Sequence, residues 1–126
     1  MILLQMIMPL VVILRVRRKY MALFGFKTED INKGYSEYLE RGEALLVDVR
    51  GEDEYARGHI PGSLNIPLPR ISQLGELADK KTPVYVYCLS GARSTRAKHE
   101  LCRIGFEDVR NIGGISSYKG QMEVGA

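Results

Sequence analysis

Cys88 stands where an apolar run ends and small, neutral residues begin. The stretch from Tyr85 to Ser94 reads YVYCLSGARS. A cysteine thiol has an ordinary pKa of about 8.5, and backbone N–H groups, a helix N-terminus and a nearby arginine lower that value. Because the residues after Cys88 offer backbone rather than bulky side chains, the stretch predicts a nucleophilic thiolate in an anion-binding loop.

The residues after Cys88 have separate predicted roles. Gly91 lets the backbone turn inward, while Ser90 and Ala92 are too small to block the sulfur. Arg93 can orient a doubly charged anion by paired hydrogen bonds, which a lysine does less specifically. The predicted binding loop consists of Leu89, Ser90, Gly91, Ala92, Arg93 and Ser94. The alternative is that Cys88 is a buried thiol at a strand end and that SGARS forms an ordinary turn and helix cap.

The elements that position this loop alternate along the chain. Apolar runs predict strands at ALLVDV, PVYVYC and EDVRNIGG, with a short extended piece at LNIPL. Helical spacing predicts helices at 28–43 with a break at Gly34, at 52–58, at 70–80, and from Ser94 to Ile104, with a last helical turn or two in ISSYKGQM. This order predicts an α/β domain with a mainly parallel sheet, in which ligands bind at the carboxyl ends of strands.

Composition excludes several classes of function. The two cysteines, Cys88 and Cys102, and the two histidines form neither a disulfide framework nor a zinc-ligand set, so we expect a reducing, cytoplasmic compartment and no metal. Four of the 18 basic residues precede Met21, which leaves 14 against all 15 acidic residues. That balance does not indicate a nucleic-acid surface.

Residues 1–20 differ in composition from the rest of the chain. They read MILLQMIMPLVVILRVRRKY, an apolar run followed by positive charges. As a helix at about 1.5 Å per residue, the run is too short to cross a hydrocarbon core of about 30 Å comfortably. The alternatives are a natural start at Met21 or a disordered extension, a membrane-associating segment on the cytoplasmic side, and a packed helix or tag. We expect residues 21–126 to form the domain.

Three motifs together resemble the rhodanese homology domain. They are LLVDVRGEDEYARGHIPGSLNIPL, VYVYCLSGARS and NIGGISSY, and they cover Leu45 to Tyr118. The resemblance implies a small α/β rhodanese-like fold with a mainly parallel central sheet flanked by helices. It also implies that Cys88 carries a persulfide, that the loop amides hold its outer sulfur, and that Arg93 binds the anionic donor. The chain departs from the family in having Tyr118 where tryptophan is usual.

The resemblance also assigns residues outside the loop. It implies that Asp48 and Arg50 mainly tie loops together, with catalysis or substrate binding as the alternative. His59, in GHIPG, is interpreted as a hydrogen-bonded structural residue, with a general base as the alternative. Cys102 is interpreted as a packing residue, with a resolving thiol as the alternative.

Three functions remain open. The first is a cofactor-free sulfurtransferase that moves sulfur from thiosulfate or another sulfane-sulfur donor to cyanide or a thiol. The second is a sulfur-relay or redox module that passes the persulfide to a partner protein. The third, less favoured, is a cysteine phosphatase or arsenate reductase, because phosphatases need Cys-x5-Arg and this chain has Cys-x4-Arg.

Overall fold

The computed structural model describes residues 29–126. Residues 1–20, for which a start-site artefact and a membrane segment are the predicted alternatives, lie outside the described residues. No helix between residues 29 and 126 is both long and apolar enough to cross a membrane.

Four strands in the described residues form one parallel sheet with the order β2-β1-β3-β4. The strands are β1 Leu45–Asp48, β2 Leu64–Asn65, β3 Val84–Cys88 and β4 Val109–Gly114. All five residues of β3 are buried, as expected for a central strand covered on both faces. The predicted α/β fold with a parallel sheet is therefore confirmed.

Helices connect these strands and cover the sheet. They are α1 Ile31–Arg41, α2 Glu52–Arg57, α3 Leu74–Leu77 and α4 Ala92–Arg103, with 3₁₀ helices at Leu68–Gln73 and Ile115–Ser117. Within the predicted helix at 70–80, residues 70–73 are thus 3₁₀-helical, residues 74–77 are α-helical, and residues 78–80 are not helical.

Two predicted helix features are wrong. Helix α1 is continuous through Gly34, where a break was predicted. The glycine allows the helix to pack closely against β4, because a Cβ at this position would lie 2.6 Å from Ile112 Cβ. Helix α4 begins at Ala92, two residues before the predicted start near Ser94. Its cap Gly91 has a φ of +106°, which lets the chain turn at once from the loop into the helix.

The core has two halves, one on each face of the sheet. Alternation along β3 places Val84, Val86 and Cys88 in the half that contains Ala97 and Leu101 of α4. The other half includes Tyr85 and Tyr87 from β3, together with Ile31, Leu46, Ile60, Ile112 and Ile115. This alternation places the Cys88 side chain on the α4 face of the sheet.

Tyr118 packs against the second half of the core. Its ring meets Tyr35 edge-on with centroids 5.8 Å apart, and its hydroxyl donates to Gln121 O at 2.9 Å. A tyrosine thus fills a packing position where the motif resemblance leads one to expect tryptophan.

Candidate active site

Cys88 is the last residue of β3 and is only 1% exposed. Its Sγ accepts the Gly91 N–H at 3.0 Å and lies 3.4 Å from Ser94 Oγ. Three residues separate Cys88 from the first residue of α4, so the sulfur lies beside the positive end of a twelve-residue helix. The site therefore favours a negative charge at the sulfur or at an atom bonded to it.

The pKa of the Cys88 thiol is lowered below its ordinary value. Burial acts to raise this pKa because it penalises the charged form. Hydrogen bonds from the Ser94 hydroxyl and from the amides of Ser94, Gly91 and Ser90 outweigh that effect. The same donors that surround the sulfur therefore increase the fraction of thiolate near neutral pH.

Ser94 is fully buried and belongs to a polar network that reaches β4. Its Oγ lies 2.8 Å from Asn111 Oδ1, 3.1 Å from Gly91 O and 3.4 Å from Cys88 Sγ. The hydroxyl has one hydrogen and can donate it to one of these acceptors at a time. A thiolate at Cys88 makes the sulfur the strongest of the three acceptors, because hydrogen bonds to an ionised group are the stronger ones.

Asn111 belongs to the site, although the sequence analysis did not identify it as a candidate. Its Nδ2 donates to Thr95 Oγ1 at 2.9 Å, and its Oδ1 accepts the Gly113 N–H at 3.0 Å as well as facing Ser94. Asn111 thereby joins β4 to the first turn of α4 and fixes the position of Ser94. The available signal was an amide side chain within the predicted strand EDVRNIGG, just before its diglycine.

Replacing Ser94 by alanine is expected to raise the pKa of Cys88, because it removes a hydrogen bond that favours the thiolate. Thiolate forms as pH rises through the pKa, so the midpoint should move to higher pH. The measurement is an ultraviolet titration of thiolate absorbance in a Cys102→Ser background, which leaves one thiol. Ser72→Ala is the control, since it makes the same change at an exposed residue of the 3₁₀ helix Leu68–Gln73. An unchanged midpoint in Ser94→Ala would show that Ser94 does not support the thiolate.

Arg93 forms a two-pronged ion pair with Glu54 of α2. The Nη1–Oε1 distance is 2.6 Å and the Nη2–Oε2 distance is 2.9 Å. The pKa of Glu54 falls to about 2, mainly because its carboxylate is hydrogen-bonded to Arg93. The Gly51 N–H lowers this pKa further, whereas partial burial of the carboxylate acts to raise it. The arginine predicted to bind a donor anion is thus already paired with a carboxylate.

Asp48 and Arg50 form a buried ion pair that connects β1 to the end of α2. Arg50 Nη2 donates to Asp48 Oδ2 at 2.8 Å and to Gly58 O at 2.6 Å. Asn65 Nδ2 donates to the carbonyl oxygens of both residues. These contacts hold together three segments of the chain beside the active-site loop.

His59 is buried between α2 and the last residues of the chain. Its ring stacks on Tyr55 with centroids 3.7 Å apart, and Nδ1 lies 2.8 Å from Tyr55 O. His59 and Glu123 exchange two backbone hydrogen bonds of 2.9 Å each, and Gly125 N donates to Ala56 O at 2.8 Å. We call residues 122–125 the C-terminal strap, because they fasten the chain end to α2 and the turn after it.

Cys102 lies on α4 and is exposed. The interpretation as a packing residue is therefore wrong. The neighbouring Leu101 takes the buried position in that turn of the helix instead. Both cysteines are free thiols, but they differ in environment, with Cys88 buried at the loop and Cys102 open to solvent.

A groove of about 360 Å³ opens beside the loop and mixes charged with apolar side chains. Its lining residues are Arg50, Glu54, Arg57, Gly58, Leu89, Ile115 and Met122. Leu89 is 48% exposed and Met122 is 54% exposed. Within residues 29–126, no group of three or more His, Cys, Asp or Glu side chains is placed to hold a metal ion.

Known proteins share this sequence pattern and fold. The thiosulfate sulfurtransferase GlpE of Coxiella burnetii is 33% identical over 84 residues, which cover 66% of this chain and 78% of GlpE. The putative sulfur carrier protein YrkF of Bacillus subtilis is 30% identical over 93 residues, 72% of this chain and 50% of YrkF. A structure described as rhodanese with anions from E. coli superposes with a TM-score of 0.61 at 32% identity, covering 65% of this chain and 99% of that one.

The chain also matches the sequence model of a protein family. The model of the rhodanese-like domain matches residues 32–121, well over half of the chain, and this range contains the sheet, the Cys88 loop and Glu54. The chain therefore belongs to the rhodanese-like domain family.

Proposed function

We propose that the protein is a sulfurtransferase that carries sulfur as a persulfide on Cys88. The observation that carries this proposal is the position of Sγ, which sits at the centre of the loop and accepts the Gly91 N–H at 3.0 Å beside the N-terminus of α4. The names of the GlpE and YrkF relatives support sulfur transfer as the general chemistry. The donor in the proposal is thiosulfate or another sulfane-sulfur compound, and the acceptor is cyanide or a thiol.

The first half-reaction loads the sulfur. The Cys88 thiolate attacks the outer sulfur of thiosulfate, a new S–S bond forms, and the S–S bond of thiosulfate breaks with its electron pair leaving on sulfite. The amides of the loop then face the outer, negatively charged sulfur of the persulfide. Arg93, at the end of the loop, is the candidate for binding the sulfonate end of the donor.

The second half-reaction returns the enzyme to its starting state. Cyanide or a thiolate attacks the outer sulfur, and the persulfide S–S bond breaks with its electron pair returning to Cys88. The products are thiocyanate or the persulfide of the acceptor thiol. Because the lowered pKa makes the Cys88 thiolate a good leaving group, the same electrostatics support both half-reactions.

A protein acceptor is the second candidate. Exposed apolar side chains at the groove, Leu89 and Met122, favour contact with another protein rather than with small ions alone. In this version the Cys88 persulfide passes to a partner thiol by the same second half-reaction. Kinetics with small acceptors distinguish the two candidates. A relay module would gain the Cys88 persulfide quickly but pass its sulfur slowly to cyanide or a small thiol.

The experiment that tests the proposal is intact-protein mass spectrometry after incubation with thiosulfate, without reducing agent. We expect the gain of one sulfur in the natural protein and none in Cys88→Ser. Aryl phosphate hydrolysis should be negligible, because the shorter Cys-x4-Arg loop suits one sulfur atom better than a tetrahedral phosphate. Absence of the adduct with thiosulfate would exclude thiosulfate as the donor. Absence of the adduct with a hydropersulfide as well, or phosphate hydrolysis faster than sulfur transfer, would overturn the proposal.

A further inference from the structure

The carboxylate of Glu54 occupies the Nη1–Nη2 edge of Arg93, one of the edges at which a guanidinium binds an anion through two hydrogen bonds. Both terminal nitrogens contact Glu54, at 2.6 and 2.9 Å, and the pair is partly shielded, with the side chains 37% and 29% exposed. A guanidinium has five N–H donors in a fixed fork, so the Nε side remains for a further ligand. A doubly charged donor must either displace Glu54 or bind beside its negative charge.

Glu54 is held in place by other contacts. Its Oε1 accepts the Gly51 N–H at 3.2 Å at the start of α2. The end of α2 is held by Arg50 through Gly58 O and by the C-terminal strap through Ala56 O. Glu54 therefore belongs to a fixed part of the structure, and moving it away from Arg93 also breaks its contact with Gly51.

The charges around the groove nearly cancel. Asp48 neutralises Arg50 in a buried pair, and Glu54 neutralises Arg93. Arg57 adds one positive charge to the lining. These side chains carry a net charge of about +1 before the Cys88 thiolate is counted, which suits a donor with at most one negative charge better than it suits dianionic thiosulfate.

The apolar part of the groove supports the same conclusion. Leu89, Ile115 and Met122 line it beside the loop and present carbon and sulfur atoms. Thiosulfate has no apolar part to contact them, whereas a hydropersulfide R–S–SH brings the body of its parent thiol. Burial of such a body against these side chains removes apolar surface from water and stabilises the complex.

We infer that Glu54 is a specificity-determining residue, which restrains Arg93 and favours hydropersulfides of apolar thiols over thiosulfate as sulfur donors. The inference rests on the proposed function. The step is balanced: the Cys88 thiolate attacks the outer sulfur of R–S–SH, the S–S bond breaks, and the electron pair leaves with the thiolate R–S⁻. Cys88 then holds the persulfide and its proton.

The test measures the rate of sulfur loading on Cys88 by mass spectrometry, with thiosulfate and with benzyl hydropersulfide, in a Cys102→Ser background. Glu54→Gln keeps a carbonyl for the Gly51 N–H and removes the charge. We expect loading from thiosulfate to rise by about tenfold and loading from benzyl hydropersulfide to change by less than about twofold. Glu54→Asp, which is one methylene shorter and cannot reach both nitrogens, should raise thiosulfate loading by a smaller factor.

The matched control is Glu52→Gln on the same helix. Glu52 pairs with Arg70 at 2.6 Å, so the substitution removes an equal charge without touching Arg93. The control should leave both loading rates unchanged. If both Glu54 variants leave the ratio of the two rates unchanged, or lower thiosulfate loading, the inference is wrong while the proposed function stands. If the parent protein loads from neither donor, the proposed function itself fails.

Discussion

Replacement of Cys88 by serine is expected to abolish sulfur transfer, with a loss of about a thousandfold or more in kcat/KM. A hydroxyl is a far weaker nucleophile near neutral pH and cannot form a persulfide. The folded state should lose about 1 kcal/mol or less, since a serine oxygen can accept the Gly91 N–H that Sγ accepts now. The measurements are thiosulfate-dependent thiocyanate production and urea unfolding.

The matched control for this variant is Cys102→Ser. It makes the same chemical change on the exposed side of α4 and should leave turnover within about twofold. If Cys88→Ser kept most of the activity, another group would have to be the nucleophile. If Cys102→Ser also lost activity, the exposed thiol would take part in the reaction after all.

Replacement of Gly114 by alanine is expected to reduce sulfur transfer by about a hundredfold or more, because it displaces the active-site loop. A Cβ at Gly114 would lie 2.6 Å from Ser90 Cα and closer still to Leu89 O. Both are loop backbone atoms, and Leu89 O is also held by the Ser116 N–H at 3.2 Å. The glycine backbone, with φ −118° and ψ 135°, is ordinary for alanine, so the effect comes from the overlap alone.

The control for Gly114→Ala is Gly34→Ala, which creates a similar overlap on the opposite face of the sheet, against Ile112. Each variant should lose about 1–3 kcal/mol of stability from overpacking. Activity per folded molecule should fall in Gly114→Ala and stay near the natural level in Gly34→Ala. Equal activity losses would mean that general destabilisation, rather than loop geometry, governs the reaction.

Strand β3 and the position of Cys88 could be predicted because their signal is local. A continuous run of apolar and β-branched residues predicts a strand covered on both faces, and the structure has Val84–Cys88 in the centre of a parallel sheet. The polar loop after it and the helix beyond it follow from residue type and spacing. The start of α4 was misplaced because Gly91, as the helix cap, shortens the connection by two residues.

The pairing of Glu54 with Arg93 could not be predicted, because it depends on tertiary packing. The two residues are 39 positions apart and meet because α2 lies beside the start of α4. The same reason applies to Asn111, which reaches Ser94 from a neighbouring strand, 17 positions away. Gly34 was misjudged for a related reason, since its local helix-breaking tendency gives way to close packing against Ile112.

The C-terminal strap has a practical consequence for the design of shortened variants. Gly125 donates its N–H to Ala56 O, His59 and Glu123 exchange two backbone hydrogen bonds, and Met122 lines the groove beside the loop. Deleting residues 122–125 would remove these contacts from the helix that carries Glu54. A minimal catalytic domain should therefore keep the strap, although it lies far along the chain from the Cys88 loop.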